Sequence, residues 1–247
     1  MISSNPSRLT FLFCLFASAA TAQVHVHFGV DAGIPLTDTL VSTENSSSSG
    51  TGASFNSSFY RLNSVTKRLL IGPVFRLDLS NSFGIEFDAL YQRINQDSTS
   101  TSASQGYSSY SFTETTANRW QFPLLVQYRR TLPKTKAAFF VESGLSISRI
   151  TNGRSTTVLN STLSSSTSSF AGAGSTSTGF VAGAGADVPV FYVHLRPEFR
   201  YTHWFAQYPT GVSYAGWVVP SNYSVSVAVA GFQLKSDEAS FLLGFTF

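Results

Sequence analysis

Cysteine is nearly absent from this 247-residue sequence: the single one, Cys14, lies within the first twenty residues. A chain without a cysteine pair forms no internal disulfide, and the two or more thiolates of a structural zinc site are missing as well. Charge is also scarce. Charged residues are 12% of the chain, where a soluble domain carries roughly a quarter, and the formal net charge of +3 is too small to steer the chain to nucleic acid. Beyond residue 22 no apolar run approaches the ~20 residues of a membrane helix. Histidine is limited to four copies. His25 and His27 stand two apart, a spacing that can ligate metal, but only Asp31 is near to support them, so lumen hydrogen bonding is the expected role. No metal and no cofactor is expected. Gly179–Gly185 (GFVAGAG) alternates as a strand with no helix after it, which excludes a phosphate-binding loop.

What the chain has in quantity is aromatic residues, 14%, and alternation. Residues 1–22 read as an export signal, with Arg8, the apolar run Leu9–Ala17 and an A-x-A site at Ala20-Thr21-Ala22. In Tyr192–Trp204 (YVHLRPEFRYTHW), Val193, Leu195, Pro197, Phe199 and Tyr201 share one face, and His194, Arg196, Glu198, Arg200 and Thr202 the other. A strand alternates its faces at period two. The same apolar/charged alternation recurs in Val24–Leu36, Lys67–Leu79, Phe83–Ile94, Arg119–Thr131, Ala137–Arg149, Thr176–Val188 and Ala239–Phe247. With so little charge on the chain, the apolar faces are expected to meet lipid and the charged faces a lumen. Only helices and closed barrels satisfy their backbone in lipid.

Connections alternate between short turns (Ser80–Ser82, Leu132–Lys136, around Pro189) and long polar stretches, about 37–66, 95–118, 150–175 and 206–235. The spacing therefore predicts an all-β fold: an eight-stranded antiparallel up-and-down transmembrane β-barrel over residues 23–247, with four long external loops. Tyr223–Gln233 also alternates. It either extends the last strand or makes a hairpin that raises the count to ten strands. Serine runs such as Asn45–Gly50 and Ser164–Ser169 are expected to be solvated, unordered loops.

The ending Phe241–Phe247 (FLLGFTF) and the segments LRPEFRYTHW and RWQFPLLVQYRR resemble the bacterial outer-membrane β-barrel domain family, whose small members include the OmpA transmembrane domain, OmpX and PorT-type proteins. The resemblance implies residence in the bacterial outer membrane among its lipids. It also implies that the terminal aromatic, Phe247, is part of the signal read by the barrel-assembly machinery.

The candidate site is the set of inward charges: Arg76, Asp78, Glu86, Asp88, Arg129, Glu142, Arg196, Glu198 and Arg200. An eight-stranded barrel is only wide enough for its own side chains, so these nine are expected to pair into a plug. The function expected is structural or surface-interacting, with an extracellular ligand for the loops as a partner and no nucleic acid. The alternative is a small pore in which the pairs switch partners. An enzyme that modifies lipid A is the third reading, and only His203 lies near the outer rim to serve it. No catalytic residue is assigned.

Overall fold

The computed structural model describes residues 24–50, 55–65, 68–104, 106–133, 135–172, 174–205, 213–218, 224–229 and 234–247. The export signal expected over residues 1–22 lies outside them. Eight spans close a ring. They are β1 (His25–Pro35), β4 (Leu70–Asp78), β5 with β6 (Phe83–Asp88, Leu90–Ser104), β7 (Tyr107–Thr131), β8 (Ala138–Ser161), β10 (Ser175–Val190), β11 (Val193–Trp204) and β14 (Asp237–Thr246). All neighbours are antiparallel. Ring closure is made by β1 against β14, with Gly29 opposite Thr246 and Pro35 opposite Ser240. Phe247 extends that seam, its N–H donating to the Phe28 carbonyl at 2.8 Å.

Alternation puts the two faces in opposite environments. Phe28, Leu145 and Phe139 are each about 60% exposed on the outside, whereas Arg76, Glu86 and Asp88 are fully buried inside. An exposed belt of this size is unsuited to water and suited to lipid. Tyr91, Trp120, Phe180, Tyr201 and Phe241 mark its upper edge, and Phe83, Tyr128, Phe191 and Tyr192 its lower one. Aromatics are favoured at both levels because one end of the ring system is apolar and the other wet. At the lower edge, Ser80 Oγ accepts from the amides of Ser82 and Phe83, which holds the turn that the sequence marks there.

The serine-rich stretches differ from expectation. They are strands. β2 (Thr43–Ser49) pairs with β3 (Asn56–Ser64), β3 with the outer part of β6, and β9 (Ser165–Gly172) with the outer part of β8. With the outer parts of β7 and β8 they form a six-stranded sheet that rises beyond the lipid belt. Serine and threonine bury little apolar surface, and on their own such segments have nothing to order them. The membrane spans supply what these segments lack, since each outer strand continues or pairs with a strand whose register is already fixed. Backbone ladders are then reinforced by hydroxyl pairs, Ser102–Ser109 at 2.6 Å and Thr113–Thr157 at 2.8 Å.

The ambiguity between eight and ten strands is resolved. Among the described residues, β12 (Ser213–Val218) and β13 (Ser224–Val229) form a separate two-stranded sheet and pair with no barrel strand, so the ring has eight spans; Tyr223 and residues 230–233 lie outside the described residues.

Candidate functional site

All nine inward charges predicted from the alternation point into the lumen, and they fall in layers. Nearest the short turns, Arg76 bridges Asp78 at 3.3 Å and Asp187 at 3.0 Å, while Arg129 bridges the same two carboxylates at 2.7 and 3.7 Å. His27 joins Asp78 at 3.3 Å and His194 joins Asp187 at 2.5 Å, with the two imidazoles edge to face. Five spans meet here.

The middle layer is built on Arg200. Its guanidinium reaches Glu198 at 2.6 Å, Asp88 at 2.7 Å, Glu142 at 3.2 Å and Glu86 at 3.3 Å. Arg196 donates to Glu86 at 2.5 Å and lies over the ring of Phe140, 4.5 Å from its centroid. Gln127 donates to Glu142 at 3.2 Å. Asp31, also buried, comes close to Glu86 and Asp88. Five carboxylates therefore share this layer with two guanidiniums. Oxygens of Asp31, Glu86 and Asp88, and of Glu86, Glu142 and Glu198, approach within 4.8 Å of one another, close enough to share a cation.

Above it, Arg119 donates to Glu238 at 2.7 Å and to Ser148 at 2.9 Å, and stacks over Trp204 at 5.0 Å. The lumen then ends in an apolar cap. Leu40, Ile94, Ala117, Ile150 and Leu234 cluster there, all nearly inaccessible, and Leu40 is bridged to Leu234. Charged layers therefore lie below and an apolar lid above.

Glycines on β10 make room inside, though not for the arginines. A Cβ at Gly185 would stand 2.4 Å from the Phe140 ring, and one at Gly183 would meet the Glu142 side chain at 2.9 Å. Arg196 lies on Phe140, so the glycine serves the arginine at one remove.

Four members of the network were missed: Asp31, Arg119, Asp187 and Glu238. Asp31 and Asp187 occupy the inward phase of their strands, and the signal was present. Arg119 opened the predicted fourth strand in phase with Gln121 and Arg129. Glu238 sits one residue before the predicted start of the last strand. Extending the alternation outward by that one residue finds it.

At the outer rim, on the lipid-facing side, His203 Nδ1 lies 2.8 Å from Asp237 Oδ1, and Tyr201 OH donates to the same oxygen. Ser236 gives its hydroxyl to the carboxylate, not to the imidazole. The rim therefore has a histidine–carboxylate pair, and among the described residues no hydroxyl is hydrogen-bonded to the ring as a nucleophile would be.

Residues 18–206 match the family model described as the outer membrane protein beta-barrel domain. The chain belongs to the outer-membrane β-barrel domain family. No curated protein matches the sequence of this outer-membrane barrel. Among solved structures it is similar to the outer membrane protein OprG from Pseudomonas aeruginosa, at 11% identity, with 91% of this chain and 94% of that one covered and a TM-score of 0.46. It is also similar to Ail, the attachment invasion locus protein of Yersinia pestis solved with the heparin analogue sucrose octasulfate: 10% identity, 90% and 99% covered, TM-score 0.35.

Proposed function

We propose that this outer-membrane barrel is a closed, non-catalytic anchor that holds a polar β-sheet outside the cell, with a structural or surface-interaction role. The observation that carries it is the buried Arg200-centred charge layer below the cap of Leu40, Ile94, Ala117, Ile150 and Leu234. A solute would have to separate buried ion pairs and displace a dry apolar cluster, and either step is costly. The outer sheet is where an extracellular ligand would dock.

The chain refolded into a planar bilayer is expected to be electrically silent. Unitary current steps that change when Arg196 or Glu198 is replaced would overturn the closed reading in favour of a pore. A lipid-modifying reading rests on the His203–Asp237 pair at the rim. Unchanged lipid A mass spectra on expression are expected, and a new lipid A species lost in His203→Ala would make the protein an enzyme.

In the same reading residues 1–22 direct export and are removed, and the aromatic strand ending at Phe247 is what the assembly machinery recognises. Phe247→Ser is expected to lower the amount of barrel in the outer membrane without altering its stability once refolded in detergent. Equal amounts of variant and wild type there would remove Phe247 from the signal.

A further inference from the structure

A cleft opens on the outside of the barrel. It has a volume of about 600 Å³ and is lined by Arg93, Thr116, Asn118, Asn152 and Arg154, with Ala171 of β9 at one side. Its origin is a β-bulge. Thr116 pairs with Arg154 and Asn118 with Thr151, so Asn152 and Gly153 stand opposite the single Ala117. Asn152 takes a left-handed backbone, φ 53°, that side chains other than glycine and asparagine rarely adopt. At the same point β8 changes partner: Ile150 still pairs with β10, while Gly153 pairs with β9. The ladder splays and a concave site opens. Bulges and strained residues of this kind gather where a strand must re-aim side chains at a ligand.

Level and charge identify the ligand. Tyr91 and Trp120, whose tilted rings meet with centroids 5.1 Å apart, belong to the upper aromatic belt, and Tyr91 OH donates to Asn118 Oδ1 at 2.9 Å. That bond spends the amide oxygen of Asn118 and leaves its NH₂ as the group to offer. Arg93 is one outward position above Tyr91, and Arg149 is the cross-strand neighbour of Trp120. Arg93, Arg149 and Arg154 are all exposed, and none lies within ion-pair distance of a carboxylate among the described residues. Asp97 and Glu114, paired in register, stand on the next outward row above Asn95, Thr116 and Arg154, and close the site to anions from that side. Cationic groups and amide donors thus sit just above the lipid-facing belt, at the depth of the headgroups, where an arginine fork binds phosphate oxygens in pairs.

We propose that this cleft binds the phosphorylated headgroup of an outer-leaflet glycolipid, with Arg93 and Arg154 as the phosphate ligands, Asn118 as a further donor, and the acyl chains running down past Tyr91 and Trp120. The site is separate from the lumen, and it gives the outer sheet a fixed orientation on the membrane surface.

The test uses the full mature chain, refolded in detergent, and native mass spectrometry to count retained lipids. The probes are diphosphoryl lipid A and the same lipid with its phosphates removed. The wild type is expected to retain the phosphorylated form preferentially. Each of Arg93→Gln and Arg154→Gln is expected to lower that preference roughly fivefold, with the Arg→Lys variants retaining more of it. A heat-dependent shift in gel mobility checks that every variant still folds. Equal retention of the two lipids by wild type, or an unchanged preference in the double Gln variant, would overturn the site. Loss of bound lipid A on adding inorganic phosphate at low millimolar level would show that the cleft takes free phosphate, and that too would overturn the glycolipid assignment.

Discussion

Arg200 on β11 donates to Asp88 on β5 at 2.7 Å, tying the seventh span to the third through the centre of the barrel. The same guanidinium holds Glu86, Glu142 and Glu198, so one side chain engages four carboxylates from three strands.

Removing it strands four buried acids. Arg200→Gln is expected to destabilise the barrel by about 3–5 kcal/mol. Asp88→Asn should cost clearly less, because the layer has more carboxylates than guanidiniums. Urea unfolding in detergent followed by gel mobility checks both; an Asp88→Asn loss equal to that of Arg200→Gln would refute this account of the layer.

Leu145 is in the middle of the lipid-facing stretch of β8, and Thr156 is on the same face of the same strand beyond the belt. Leu145→Arg should cost about 2–4 kcal/mol in a bilayer, the depth-dependent cost of a charge in hydrocarbon. Thr156→Arg should be close to neutral. Similar costs at the two positions would place the belt elsewhere.

Asn152 tests the bulge. Asn152→Gly should be neutral or stabilising, since glycine accepts a positive φ without strain. Asn152→Val should cost about 1–2 kcal/mol through the clash of its Cβ with the following carbonyl. Differential unfolding of the two variants gives the answer, with a costless Val ruling out the left-handed backbone.

In the outer sheet, beyond the membrane, burial and then the facing Glu114 push the Asp97 carboxyl above its ordinary range. A raised acid favours the folded state in its protonated form. The contribution is therefore present at low pH and is lost as pH rises through the raised value. Amides of the outer β6–β7 ladder should exchange more slowly at about pH 4 than at neutrality, after correction for intrinsic rates. Asp97→Asn should flatten that difference, and solvent around the pair keeps the effect small.

Most of the spans were legible because a membrane strand has one apolar and one charged face, and eight repeats of that contrast leave little freedom. Arg196, Glu198 and Arg200 announce a lumen merely by standing two apart. The outer sheet was not legible. Ser47 or Ser102 carries no apolar contrast, and what orders them is a neighbouring strand whose register is set far away in lipid. Asp31 and Arg119 show a smaller limit: their phase was readable, but membership of the network depends on which layer each reaches, and that follows from strand tilt and stagger.

The β1–β14 seam carries a consequence for how the molecule is made. Gly29 bonds opposite Thr246, so the first span has a free edge until the last one exists. Arg76 waits for Asp187, and Asp88 for Arg200, across more than a hundred residues. No partial chain can close the ring or neutralise its interior. Folding is therefore a late, concerted event with a high entropic barrier, and an incomplete chain presents an unpaired strand edge throughout that interval.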